Sequence, residues 1–299
     1  MKVKKTTLNG IRHQIYTWGN TKNPKLFFVH GWLDTGASFQ FIAEILKKDF
    51  YCIALDLRGY GQSEHGKNPL GYFFYEYVAD VHALFQHFSP NEPVKVIGHS
   101  LGGAIMGIYA GTFPERVSHF INLEGFAFRD NPIKRGPEKL RTWITHLNQA
   151  RFNTFRHLED YAQRLMQANP ALTLERALQI APYLSQKTNG KITPSADPLH
   201  KLADPYVFNS ELIYSFWKKI TASCLLIWAE KTNMNDWMKS KNLKQALQLR
   251  MKAFKKRRVV QLKDCGHMMH HEKPEEVAIL IHNFLVPKQA LRNKLKRPS

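Results

Sequence analysis

The chain has 299 residues, with 43 Lys and Arg against 24 Asp and Glu, and a formal net charge of +19. That length is enough to bury a large core, either as one domain or as a core domain carrying an inserted subdomain. A disulfide framework is not required: the three cysteines, Cys52, Cys224 and Cys265, are widely spaced and odd in number, show none of the paired spacings of a zinc site or redox motif, and read as reduced thiols.

Met1 to Trp18 is basic but alternates polar and apolar residues, so it lacks the apolar stretch of a secretory signal. No apolar run approaches the roughly 20 residues needed to cross a bilayer. A soluble, cytoplasmic protein is the expectation. Within this opening segment Asn9-Gly10 separates Val3–Leu8 from Ile11–Trp18, the pattern of an antiparallel hairpin.

Short apolar runs rich in strand formers then alternate with longer segments of helical period. The runs Leu26–His30, Tyr51–Leu55, Val94–His99, Val117–Leu123, Cys224–Ala229 and Arg258–Leu262 predict strands. Ala37–Leu46, Tyr72–Phe88, Leu101–Thr112, Trp237–Phe254 and Pro274–Leu285 predict helices. This alternation is the signature of an α/β fold, a mostly parallel sheet covered by helices on both faces.

The alternation stops from 126 to 215. Candidate helices there are Trp143–Leu147, Leu158–Ala168 and Leu174–Leu184, followed by a Pro-rich loop from Thr193 to Pro205. A strand precedes and a strand follows, so 126–215 is expected to be a helical cap inserted in a core of 1–125 and 216–287. Two basic blocks stand out: Lys239 to Arg258, with nine Lys or Arg and no acid, and the tail 288–299. Both are expected to be solvated faces, with nucleic acid or an anionic membrane surface as the alternative partner.

Three stretches carry chemistry. Gly98-His99-Ser100-Leu101-Gly102 follows an apolar strand and opens a helix, the setting in which a tight turn exposes a nucleophilic serine. Cys265-Gly266-His267 follows the last strand, where the base that activates such a serine is expected. The amides of Leu101 and of Trp32, in His30-Gly31-Trp32, are candidates for stabilising an oxyanion. Trp32, His99 and Phe126 are candidate substrate contacts. His270 and His271 invite a metal, but no carboxylate stands near them at ligand spacing, so packing or surface roles are expected and no metal or cofactor is assigned.

With these motifs go His30-Gly31-Trp32-Leu33-Asp34, Asp56-Leu57-Arg58-Gly59-Tyr60-Gly61-Gln62-Ser63, Phe113-Pro114-Glu115-Arg116-Val117 and Gly266-His267-Met268-Met269-His270-His271-Glu272-Lys273-Pro274. The set resembles the capped α/β-hydrolases, the group that includes epoxide hydrolases, haloalkane dehalogenases and many esterases, and within it most the serine-hydrolase-like proteins. The resemblance implies an eight-stranded sheet. It implies that Ser100 and His267 act as nucleophile and base, and that the Asp56 loop is a structural turn. Capped relatives that open epoxides or carbon–halogen bonds attack with an aspartate, and Ser100 stands in its place.

The triad acid departs from the usual pattern. Most of the family carries it after the strand that corresponds to Cys224–Ala229, where Thr232 here occupies the position of the usual aspartate. A second position, at the end of the strand after the nucleophile helix, holds Glu124, with Asp236 and Glu230 as alternatives. The expected activity is hydrolysis of a small-molecule carboxylic ester by Ser100, His267 and Glu124. The alternatives are a catalytically silent hydrolase fold that binds a ligand, or a thioesterase, lactonase or carbon–carbon bond hydrolase. Phe126, Phe128, Trp143, Phe155 and Tyr206 either line an apolar pocket or form the core of the cap.

Overall fold

The computed structural model describes residues 1–128 and 130–286; the basic tail expected at 288–299 lies outside the described residues. In chain order the elements are β1 (Lys2–Leu8), β2 (Ile11–Trp18), β3 (Lys25–Val29), α1 (Gln40–Leu46), β4 (Tyr51–Leu55), α2 (Phe74–Phe88), β5 (Val94–His99), α3 (Leu101–Thr112) and β6 (Val117–Leu123). There follow α4 (Gly136–His146), α5 (Leu158–Ala168), α6 (Leu174–Leu184), β7 (Ser185–Thr188), β8 (Lys191–Pro194) and α7 (Ser210–Trp217). The chain then returns through β9 (Ser223–Ala229), α8 (Asn235–Met238), α9 (Leu243–Met251), β10 (Arg257–Leu262), α10 (Met269–Glu272) and α11 (Pro274–Leu285).

Eight strands form one sheet in the order β1-β2-β4-β3-β5-β6-β9-β10. β1 and β2 are antiparallel, β2 meets β4 antiparallel, and the remaining pairs are parallel. Because strand side chains alternate between faces, Phe27 and Val29 pack with α2 and α3 on one side, while Leu26 and Phe28 pack with α1 and α11 on the other. The central strands are apolar on both faces for that reason. Residues of α5 and α6 form a third, separate cluster around Tyr161, Ile180 and Leu184.

Several elements differ from the sequence expectation. The helix expected over Trp237–Phe254 is two helices, because Lys239 takes a left-handed conformation after α8 (φ 52) and the Asn242 side chain caps α9 by accepting from Gln245 N. The loop expected from Thr193 holds instead the end of a β7–β8 hairpin and a short turn of helix at Pro198–Lys201. The hairpin reverses at Asn189-Gly190, both with positive φ, as a two-residue turn requires. α4 starts at Gly136, well before the expected Trp143, with a proline in its first turn. Arg250, expected on a solvated face, is buried with its guanidinium 4.1 Å over the Phe128 ring.

Candidate active site

β5 and α3 meet at Ser100, which has φ 49 and ψ −115, a strained conformation for a non-glycine residue that costs on the order of 1–3 kcal/mol. The surroundings hold it there: Ser100 N donates to Leu123 O at 2.9 Å, and Ala104 N donates to Ser100 O at 3.0 Å. Close backbone packing fixes the turn against its neighbours. A Cβ on Gly102 would fall 2.0 Å from Val29 O, and one on Gly125 would fall 2.3 Å from Gly103 Cα.

Glu124 follows β6 directly and is almost fully buried. Its Oε1 accepts from Ala229 N at 2.6 Å; its Oε2 accepts from the Thr232 hydroxyl at 2.9 Å and lies 2.5 Å from His267 Nδ1. A carboxylate only accepts, so the imidazole carries its proton on Nδ1 and presents a lone pair on Nε2. Thr232, in the position where the resemblance put an aspartate, supports the carboxylate that reaches in from β6. The other two candidate acids are exposed. Glu230 accepts from Asp264 N at 3.0 Å, and neither it nor Asp236 contacts His267.

Ser100 and His267 are brought to the same end of the sheet. A Cβ on Gly31 would sit 3.3 Å from Ser100 Cβ and 2.9 Å from His99 Nδ1, and His99 Nε2 donates to the His267 carbonyl at 3.0 Å. Among the described residues no hydrogen bond joins the Ser100 hydroxyl to His267, an open geometry common before substrate binds.

The Gly31-Trp32 peptide is oriented by His30. Leu57 N donates to His30 Nε2 at 2.9 Å, so the ring proton is on Nδ1, which donates to Gly31 O at 2.8 Å. In a trans peptide the N–H points opposite to the carbonyl, so Trp32 N–H faces away from His30. Neither this amide nor that of Leu101 donates to a group among the described residues.

A cleft of about 640 Å³ opens here, walled by Trp32, Phe152, Phe155, Tyr161, Leu165 and His267 among others. Trp32 is a cleft wall, and its indole Nε1 also donates to His200 O at 3.0 Å, tying the loop after β3 to the segment between β6 and β9. Two candidate contacts lie away from the cleft walls. Phe126 is fully buried in the core on the α3 side of the sheet, because it follows the Glu124-Gly125 turn back onto that packing. His99 is also buried, between His267 and His270. Neither lines the cleft, and nor does Ser100, which is half-buried. Of the aromatic residues left between a pocket and the core of the cap, Phe155 is a cleft wall, Phe128 packs on Trp217, Trp143 is half-buried outside the cleft, and Tyr206 is half exposed against Phe73.

Residues 24–274 match the sequence profile of a family described as the alpha/beta hydrolase fold. The chain belongs to this family. Over 292 residues it is 26% identical to human serine hydrolase-like protein 2, a match covering 90% of this chain and 88% of that protein. The zebrafish serine hydrolase-like protein is 23% identical over 279 residues, covering 90% of this chain and 84% of its own. Among solved structures, a thioesterase domain from the curacin biosynthetic pathway superposes with a TM-score of 0.83 at 21% identity, covering 96% of this chain and 99% of that one. E-2-(acetamidomethylene)succinate hydrolase superposes at 0.74 and 20% identity, covering 95% and 98%.

Within this α/β-hydrolase core the Asp56 loop is structural. The buried Asp56 carboxylate accepts from Tyr16 OH, Thr35 Oγ1, Gly36 N and Gln62 N, and Arg58 grips Asp80 with two hydrogen bonds at 2.6 and 2.7 Å. Cys265 is buried, and its thiol is pushed up to about 12 by burial and by Glu272. His270 and His271 are buried too, rather than on the surface. Burial pushes each down to about 3, and His99 is lowered as well, first by burial and then by His270 and His267.

Asp34, to which no sequence signal gives a role, arrives from the loop after β3 to face His270, with Asp34 Oδ2 and His270 Nε2 3.4 Å apart. Only the fold brings it there.

Proposed function

We propose that this protein is a serine hydrolase that cleaves carboxylic esters through an acyl-enzyme. The observation that carries the reading is the 2.5 Å contact from Glu124 to His267 Nδ1, at the same strand ends where Ser100 occupies a strained turn. Glu124 holds the imidazole in the tautomer whose Nε2 can accept the Ser100 proton. As that proton moves to Nε2, Ser100 Oγ bonds to the ester carbonyl carbon, and the negative charge that forms on the carbonyl oxygen is met by Trp32 N–H and Leu101 N–H. His267 then protonates the departing alcohol. Water, deprotonated by the same imidazole, releases the acid and restores Ser100. The segment 126–215 acts as a cap, supplying Phe152, Phe155, Tyr161 and Leu165 to an apolar wall suited to an acyl chain or aromatic ester.

The test is a panel of activated esters with pre-steady-state detection of the alcohol product. The proposal expects a burst of about one product per chain and its disappearance in Ser100→Ala; turnover that persists in Ser100→Ala would overturn it. A second reading, a hydrolase fold that binds ligand without turnover, is favoured by the position of Ser100 outside the walls of the cleft. It expects no burst with any ester.

A further inference from the structure

We propose that Asp34, His270 and His271 form a binding site for one divalent transition cation of the Zn2+, Co2+ or Ni2+ class, opening onto the cleft beside His267. One ligand atom from each residue lies within 4.8 Å of the other two, and the three residues are 4%, 0% and 2% exposed. Asp34 Oδ2 and His270 Nε2 are 3.4 Å apart. Two ligands bound tetrahedrally at about 2.0–2.1 Å are themselves separated by about 3.3 Å. Asp34 is held in place by Ser38 Oγ, which donates to the same Oδ2 at 2.9 Å.

A second observation points to a ligand. The His271 side chain is buried and its Nε2 has no hydrogen-bond partner among the described residues, a state that costs about 1–3 kcal/mol for a buried polar atom; either ring nitrogen of His271 is available to an ion. His270 Nδ1 is unpartnered in the same way, and so is Nδ1 of His99, whose ring lies 4.3 Å from that of His270. Because His99 Nε2 meets the His267 carbonyl, His99 Nδ1 carries a lone pair.

The donor set selects the class of ion. Two imidazoles with one carboxylate suit Zn2+ and its neighbours, whereas Ca2+ and Mg2+ take oxygen ligands. Three protein ligands leave one position open, and Asp34 and His271 are both walls of the cleft, so an ion enters by the route of the substrate. Occupancy places it among the groups that face bound ester. That consequence for turnover rests on the proposed esterase activity; the binding itself does not.

The experiment uses the untagged full chain, stripped with a chelator and titrated with Co2+ at neutral pH, followed by visible absorption and by metal content per chain. Saturation at one ion, with a tetrahedral-type absorption that Zn2+ abolishes, is expected. Asp34→Asn and His271→Gln should each weaken binding by more than the roughly 10–100-fold attached to loss of an outer-shell partner, while His267→Ala retains it. Asp34→Asn is nearly isosteric and carries the test if His271→Gln fails to fold. Absence of the absorption, or binding that survives Asp34→Asn and is lost in His267→Ala, overturns the site. Ester turnover lost on adding Co2+ and regained with chelator completes the account. Tight binding in a protein inert toward every ester sinks the esterase proposal and leaves the metal site standing.

Discussion

Replacing Glu124 with glutamine removes one charge and almost no volume, so its effect isolates what the carboxylate does. Three donors converge on it: Ala229 N, the Thr232 hydroxyl and His267 Nδ1. An amide has a single oxygen to share among them. If that oxygen faces Ala229 N, the amide NH2 faces His267 Nδ1 and forces the ring proton onto Nε2, which abolishes the base. If instead it faces His267, the NH2 opposes the Ala229 N–H, and a buried donor against a donor costs about 1–3 kcal/mol. For the equivalent acid-to-amide change in a serine-protease triad, kcat falls about 10⁴-fold, or about 5.4 kcal/mol at about 1.36 kcal/mol per decade. The expectation for Glu124→Gln is therefore a fall in kcat of about 10³–10⁴ with KM little changed, and a melting temperature lowered by no more than about 10 °C. Ester kinetics beside thermal melts measure both. Activity within about tenfold of the parent, in a variant that melts with it, would refute the assignment of Glu124 to the triad.

Gly31→Ala should fold yet lose most turnover, because its Cβ falls 2.9 Å from His99 Nδ1 and 3.3 Å from Ser100 Cβ; near-parental kcat would contradict the crowding argument. The His200 ring is stacked between Tyr60 and Tyr72 at 3.6 and 3.8 Å and is pushed down to about 3, chiefly by burial, from 6.5. Below pH about 6.5 the unfolded chain takes up a proton there that the folded chain resists, so this contribution is full above that pH and is lost as pH falls toward 3. Melts from pH 7 to 4 should fall less steeply in His200→Phe than in the parent, and equal slopes would contradict this. The buried thiols of Cys52, Cys224 and Cys265 should be unreactive to a thiol reagent in the native protein and all titrate in denaturant; a fast-reacting Cys265 would show that the loop before His267 is open.

What the sequence made legible was whatever is encoded locally. Parallel strands buried on both faces read as continuous apolar runs, and the Ser100 turn carries its own glycines, so sheet and elbow could be located without coordinates. Glu124 was a candidate because the resemblance offers a second acid position at the end of β6, which emerges beside the end of β5. Long-range packing was not legible. Asp34 meets His270 only once the loop after β3 folds against α10, so a histidine pair with no carboxylate at ligand spacing in the sequence has one beside it in space. Phe126 and Arg250 look like a pocket residue and a surface cation, yet the turn at Gly125 and the ring of Phe128 bury them. The hairpin at Asn189-Gly190 carries the same dipeptide signal as Asn9-Gly10, but its strands are short and polar, so no apolar alternation framed the turn.

The central claim is that the Ser100 hydroxyl is a nucleophile activated by His267. Its most direct test is labelling of the folded protein with a fluorophosphonate probe, read by intact mass and peptide mapping. One adduct per chain on Ser100, lost in His267→Ala and in heat-unfolded protein, is the predicted result; a folded chain that stays unlabelled, or that labels elsewhere, would contradict it.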